Sequence, residues 1–81
     1  MAVAYEDFLS SVVEQSSILS NSGNADLAGV VMLRAGQLSS ETFVTAAAIE
    51  TAFGTSLRGM NTAPYDQQAR TIITQAAKLA I

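Results

Sequence analysis

Cysteine and histidine are both absent from this chain of 81 residues. Without cysteine, the chain can form no disulfide and offers a metal no thiolate ligand. Without histidine, it lacks the commonest transition-metal ligand and the usual general base of enzymes. A domain of this length buries only about 60–65% of its unfolded surface, so it commonly depends on disulfides, metals or partner subunits for stability. Of these three, the composition favours association with other subunits.

Charged residues are also scarce, at 14% of the chain against about 25% in an ordinary globular domain. Apolar residues make up 49%, and most of the polar remainder is uncharged. When two subunits meet, fewer surface charges mean that fewer ions must be desolvated. The composition is therefore typical of a subunit that packs closely against others, although a small alanine-rich monomer would share it.

The four basic residues, Arg34, Arg58, Arg70 and Lys78, are scattered along the chain, and the net charge is −3. Nucleic-acid binding normally needs a basic stripe, so we expect no nucleic-acid partner. The uncharged apolar runs are well short of the ~20 residues that a membrane-spanning helix needs, so we expect no membrane insertion. The opening residues, MAVAYEDF, carry acids where a secretory signal needs basic residues. We therefore expect a cytoplasmic protein or one released as part of an assembly.

Apolar residues recur at helical spacing in four segments, which we place at residues 3–19, 25–35, 42–54 and from 64 onward. No segment shows convincing strand alternation, so the predicted fold class is all-α. Short connections between helices of this length are typical of a compact bundle. We predict one helical domain over residues 1–81, a bundle of about four short helices that is completed by packing against other subunits.

Cap and turn residues separate the first three segments. Gly23 can take a left-handed conformation, and Asn24 can cap the second helix. Ser39 or Ser40 can cap the third helix, with Glu41 in its first turn. These residues predict two short connections within the bundle.

The last helix is predicted to begin at Pro64, because the missing N–H of proline costs nothing in the first helical turn. The preceding residues 55–63 have weak periodicity and are predicted to form a turn and loop with Leu57 and Met60 directed inward. Helical spacing predicts the following inner face for the last helix: Tyr65, Ala69, Ile72, Ile73, Ala76 and Ala80.

The third segment, TFVTAAAIETAFG, contains a single charge, Glu50. Since Glu50 lies three residues before Phe53 and seven after Phe43, all three are predicted on one side of a helix. Glu50 either extends to solvent at the edge of that side or pairs with an arginine. The candidates are Arg34 or Arg58 of the same chain, or an arginine of a neighbouring subunit. A helix with so little charge needs a cover that this short chain provides only in part.

No catalytic, cofactor-binding or metal-binding site is predicted. The chain has nine serines and seven threonines but no histidine to activate a hydroxyl as a nucleophile. Its glycines lack the spacing that cradles a phosphate. Asp7 and Glu14 share a face of the first helix, which we interpret as a solvated acidic surface, because a calcium site needs several oxygen ligands within about a dozen residues. We therefore expect that the protein is not an enzyme and uses no cofactor.

Contacts with other proteins are predicted on the second and third segments, at Val31, Met32, Phe43, Ala47, Glu50 and Phe53. The predicted function is a structural subunit that assembles with itself through helix–helix packing into a homo-oligomer, a filament or a particle such as a virion. The alternative is a small acidic helical adaptor or inhibitor that binds a larger protein. The number of contact surfaces separates the two, since an assembling subunit needs two complementary faces and an adaptor needs one.

Overall fold

The computed structural model of this chain describes residues 2–55 and 61–80. Its elements follow the order β1 (Ala2–Ala4), α1 (Tyr5–Asn21), α2 (Ala25–Gly36), β2 (Phe43–Thr45), α3 (Ala46–Gly54) and α4 (Ala63–Leu79). The predicted helical bundle is confirmed: α1, α2 and α4 contact one another, and α3 lies against α2 and α4. The inward positions predicted for Leu57 and Met60 concern residues outside the described ranges.

One hydrophobic cluster joins all four helices and both strands. In α1, the buried positions Phe8, Val12 and Ser16 follow a four-residue spacing, so they form one stripe along the helix. The other large side chains that are fully buried come from α2, β2 and α4, namely Val31, Val44 and Ile73. The core therefore lies between the three long helices and is covered at one side by the strands.

The turn between α1 and α2 is a Schellman motif built on Gly23, which has a φ of +86° as its position predicted. The Asn24 N–H donates to the Leu19 carbonyl at 2.9 Å, and the Gly23 N–H donates to the Ser20 carbonyl at 3.3 Å. Asn24 is the N-cap residue of α2, as predicted, but its side chain makes no capping hydrogen bond, and its Nδ2 donates to the Ser22 hydroxyl. Three residues are enough for this turn, so α2 packs beside α1.

The prediction that no strand forms is wrong. The two strands pair antiparallel, with Val3 opposite Val44. Both valines are buried, because alternate residues of a strand face the same side and these two face the core. A hydrogen bond from the Tyr5 N–H to the Thr42 carbonyl, at 3.1 Å, continues the ladder beyond the strands. The N-terminal residues therefore form a short β-ribbon with residues 43–45 instead of the first turn of α1.

Because β2 occupies the start of the third segment, α3 begins later than residue 42. Ser39 and Ser40 do not cap it, and Glu41 lies outside its first turn. Thr45 is the capping residue, since its hydroxyl accepts a hydrogen bond from the Ala48 N–H at 3.1 Å. The β-branched Thr45 has an extended backbone, and the alanines after it are strong helix formers, so the strand ends and the helix begins at this residue.

The helix α4 matches its prediction closely. Pro64 lies in its first turn. Of the predicted inner face, Ala69, Ile73 and Ala76 are buried, and the remaining three positions pack against the core while partly exposed. The alanines have short side chains, so α4 can approach α1 and α2 closely.

Candidate interaction surface

The outward side of α2 is almost free of charge. Half of its 12 residues are buried in the chain's own core, namely Leu27, Ala28, Val30, Val31, Arg34 and Ala35. The other half are exposed, namely Ala25, Asp26, Gly29, Met32, Leu33 and Gly36. Since successive residues of a helix are about 100° apart, the six exposed residues fall within an arc of about 120°. Asp26 lies at its edge, about 20° beyond Leu33, and the other five fall within about 100°. These five uncharged residues, Ala25, Gly29, Met32, Leu33 and Gly36, are called the α2 outer face.

The α2 outer face has a raised centre between two low positions. The centre consists of Met32 and Leu33, whose exposed fractions are 39% and 37%. Gly29 lies one turn before them and Gly36 one turn after. A Cβ added at either glycine would meet no other atom within 4 Å, so packing inside the chain does not require glycine there. In a helix interior, glycine is about 1 kcal/mol less favourable than alanine, so Gly29 lowers stability with no packing gain inside the chain.

The structure places the predicted contact residues on three elements, α2, β2 and α3. Met32 lies on the α2 outer face. The prediction for Val31 is wrong, because its side chain is fully buried in the core and cannot reach a partner in this fold. Ala47 and Glu50 are both exposed on α3. Phe53 is partly buried and packs against the core. Whether the exposed members contact a partner stays a prediction.

Phe43 does not share a helix face with Glu50 and Phe53, because it lies in β2. Its side chain is 56% exposed, and it stands opposite Ala4 in the β-ribbon. Hydrogen-bonded and non-hydrogen-bonded pairs alternate along an antiparallel ladder. Since Tyr5 and Thr42 form a hydrogen-bonded pair, the main-chain groups of Phe43 point away from β1, toward the outer edge of the ribbon. Phe43 thus combines an exposed ring with the main-chain groups of a strand edge.

Glu50 extends to solvent, which is the first of the two alternatives, and its partner there is Arg70 of α4 and not the candidate Arg34. Its Oε2 lies 3.3 Å from the Arg70 Nη1, and the two side chains are 62% and 47% exposed. A pair this exposed typically contributes between zero and about 1 kcal/mol to stability. The other predicted partner, Arg58, lies outside the described residues. Glu50 is therefore an exposed surface charge with a partner in its own chain.

Arg34 lies on the buried side of α2 and reaches the end of α3. Its Nη1 donates to the Thr55 carbonyl at 2.7 Å and to the Ala52 carbonyl at 2.8 Å. Its Nη2 lies at 3.3 Å and 3.4 Å from the two carboxylate oxygens of Asp66, at the start of α4. The bonds to the two carbonyls are shorter than those to Asp66, so the guanidinium mainly satisfies the carbonyl groups at the end of α3. That helix has no basic residue in its own last turn. Sequence spacing offered no signal for this contact.

The same guanidinium also contacts the residue that precedes α4. The Nη2 of Arg34 donates to the buried Thr62 hydroxyl at 3.2 Å, so Arg34 binds Thr55 and Thr62, which flank residues 56–60. The Phe53 ring lies 5.2 Å from the guanidinium carbon of Arg34 and 5.5 Å from that of Arg70. With its Nη atoms bound to carbonyl, hydroxyl and carboxylate oxygens, Arg34 is placed as a structural cation and not as a binding site for an external anion.

Two clefts within the described residues offer no arrangement typical of a catalytic or cofactor site. A cleft of about 550 Å³ between α2 and α4 is lined by uncharged residues, namely Leu27, Gln67, Gln68, Thr71 and Ile72. A cleft of about 270 Å³ at the start of α2 contains Asp26 and Tyr65, whose hydroxyl donates to the Asp26 carboxylate at 3.3 Å. Over residues 2–55 and 61–80, no group of three acidic side chains is placed to hold a metal ion. Within those same ranges, no helix is both long enough and apolar enough to cross a membrane.

No family model, curated protein or solved structure matches this chain. Function is therefore inferred from surface chemistry alone. On that surface, the sequence prediction missed Gly29, Leu33 and Gly36. The missed signal was their helical spacing relative to Met32, which places all four residues on one side of α2.

Proposed function

We propose that this chain is a non-enzymatic structural subunit that assembles with copies of itself, and that the α2 outer face is its principal contact surface. The observation that supports the proposal is an uncharged face with two exposed large side chains, Met32 and Leu33, and two glycines that the chain's own packing does not require. Glycine on a helix surface lets a second helix approach closely, so a packing partner would give these positions a use.

The free energy gained by burying apolar side chains limits the expected strength of this contact. Full burial of a leucine or methionine side chain contributes about 1.5–3 kcal/mol. Since Met32 and Leu33 are already more than half buried, each retains about 1 kcal/mol of unrealised burial. A contact between two copies would bury four such side chains, for a gain of about 4 kcal/mol. Lost translational and rotational freedom costs at least about 4 kcal/mol, so these four side chains alone would not hold two copies together. Close approach of the helices at the glycines would supply further contact, and association is expected to depend strongly on concentration.

The proposal is tested by placing a charge in the centre of the α2 outer face. Leu33→Glu is expected to shift the protein to monomers, because the carboxylate would have to be desolvated in the contact. The matched control is Ser17→Glu, which adds the same charge at an exposed position of α1. Both variants and the unchanged chain are compared by size-exclusion chromatography with light scattering, from micromolar to millimolar concentration. Circular dichroism checks that the helix content of all three is the same.

The proposal expects that the unchanged chain and Ser17→Glu associate with increasing concentration and that Leu33→Glu does not. An unchanged chain that remains monomeric at the highest concentration would reject self-assembly and leave the adaptor as the better hypothesis. Association that survives in Leu33→Glu would reject the α2 outer face as the contact surface.

A further inference from the structure

We infer that α3 opens as a separate unit while the other three helices stay folded. The inference goes beyond the proposed function and does not depend on it, because the motion takes place within one copy of the chain. It starts from how little α3 adds to the core, since only Ile49 and Ala52 of its nine residues are buried. The five largest side chains that are fully buried all lie on other elements, namely Phe8, Val12, Val31, Val44 and Ile73.

The core without α3 remains continuous. The helices α1, α2 and α4 contact one another in all three pairings. The strand before α3 is held by its own contacts, because Val44 is fully buried and pairs with Val3 of β1. Segments with few buried apolar contacts open at a lower free energy than the rest of a protein, often as one cooperative unit. Among the four helices, α3 fits this description best.

Both ends of α3 allow it to separate as a unit. The backbone is extended at Thr45 before the helix and at Thr55 after it, so neither end continues as helix into a neighbouring element. An isolated helix shorter than about 12–15 residues is only marginally stable in water. With nine residues, α3 is expected to lose its helical hydrogen bonds once it leaves the core. Its amide protons then exchange with solvent, which makes the opening measurable.

Opening must break the contacts of Arg34 with the end of α3. The Nη1 of Arg34 donates to the carbonyls of Ala52 and Thr55 at 2.8 Å and 2.7 Å. The Phe53 ring lies 5.2 Å from the same guanidinium carbon. The ion pair of Glu50 is exposed and contributes much less. Within the described residues, a single side chain of α2 therefore supplies most of the polar contact that holds α3 closed.

Hydrogen exchange of the full chain, measured by mass spectrometry, tests this inference. Three variants are compared with the unchanged chain at low micromolar concentration, which limits any effect of association. Val12→Ala weakens the core that survives the opening, since α1 makes few contacts with α3. Ile49→Val and Arg34→Lys weaken contacts that the opening breaks. Amide protection is measured for peptides from α1, α3 and α4.

In the unchanged chain, α3 should be less protected than α1 and α4. Val12→Ala should reduce the protection of α1 and α4 by about 10–20-fold, the loss expected for two buried carbons, and leave that of α3 unchanged. Ile49→Val should reduce the protection of all three helices by the same factor, about 2–10-fold, because global unfolding breaks the Ile49 contacts as well. Arg34→Lys should also reduce all three equally, for the same reason.

An equal protection of α1, α3 and α4 in the unchanged chain would overturn the inference, and so would an equal loss in all three on Val12→Ala, because the chain would then open only as a whole. Unchanged α3 protection in Ile49→Val or in Arg34→Lys would overturn it as well, since exchange would then not require α3 to leave the core. If Arg34→Lys does not fold, the two aliphatic variants decide the question.

Discussion

Among single residues, Arg34 joins three helices through one buried guanidinium. It is 3% exposed, and a buried charge is costly unless its partners satisfy it. The carbonyls of Ala52 and Thr55 and the partly exposed carboxylate of Asp66 satisfy the two Nη groups, while the buried Nε has no hydrogen-bond partner among the described residues. A buried pair of this kind often adds little net stability compared with apolar packing, but loss of one partner leaves the others unpaired and is strongly destabilising. Arg34 therefore fixes the end of α3 against α2 and α4.

This role predicts a large difference between two arginine variants. Arg34→Met should lower the free energy of unfolding by about 3–5 kcal/mol, because it leaves buried carbonyls and a carboxylate without their cation. Arg70→Met removes only the exposed pair with Glu50 and should cost no more than about 1 kcal/mol. Urea unfolding followed by circular dichroism, at one fixed protein concentration, measures both losses.

A second arginine substitution keeps this comparison interpretable if Arg34→Met does not fold. Arg34→Lys retains the charge but not the planar guanidinium with its several donors. Its loss in free energy of unfolding should therefore fall between the losses of the two methionine variants. Equal losses in Arg34→Met and Arg70→Met would show that the buried guanidinium contributes no more than a surface charge.

The partners of individual side chains were the least predictable feature of this chain. The left-handed Gly23 followed from local chemistry, since the end of α1 two residues earlier leaves carbonyls that such a glycine helps to satisfy. The choice between Arg34 and Arg70 as the partner of Glu50 depends on which helix faces meet. Helical periodicity specifies the angle of a residue on its own helix and not the neighbour that it faces.

At the scale of elements, the helices were predictable and the strands were not. The bounds of α2 and α4 match the predicted segments within about two residues, because cap residues, glycine and proline mark their ends. The strand β2 has three residues, too few to show alternation, and helical spacing from α3 extended across it. It forms because β1, which is far away in sequence, supplies the pairing partner. Such non-local pairing outweighs local propensity.

The α2 outer face predicts opposite effects of Gly29→Ala on stability and on assembly. Within the Leu33→Glu variant, which is expected to be monomeric, Gly29→Ala should raise the free energy of unfolding by about 1 kcal/mol, because alanine favours a helix more than glycine does. In the otherwise unchanged chain it should weaken association, because the added methyl group keeps the two helices apart. Urea unfolding measures the first effect, and light scattering over a concentration series measures the second.

Gly54→Ala is the matched control for the effect on assembly, since Gly54 ends α3 and a Cβ there also meets no other atom within 4 Å. It should leave association unchanged. An equal loss of association in both alanine variants would show that the effect does not depend on contact at α2.

For the whole molecule, the proposed contact between two α2 outer faces would close at two copies, so a larger assembly would require a second surface. We propose the β-ribbon for that role, because it lies on an element other than α2. Phe43 exposes 56% of its surface there, and the alternation of the ladder directs the Phe43 main-chain groups away from β1. The two proposed surfaces differ in kind: one is a helix face, and the other is a strand edge with an exposed ring.

If the strand edge is the second contact surface, Phe43→Ser should stop assembly at dimers. The serine removes the exposed ring but leaves the core pair of Val3 and Val44 intact, so the ribbon should still fold. Phe43→Leu retains an apolar side chain and should still form larger particles, because burial of apolar surface and not the ring itself is proposed to drive the contact.

Light scattering gives the mass of each species, and negative-stain electron microscopy shows whether particles or fibres remain. If Phe43→Ser forms assemblies as large as those of the unchanged chain, the strand edge is not the second surface. If the unchanged chain itself stops at dimers, the α2 contact is its whole assembly and the filament or particle is rejected.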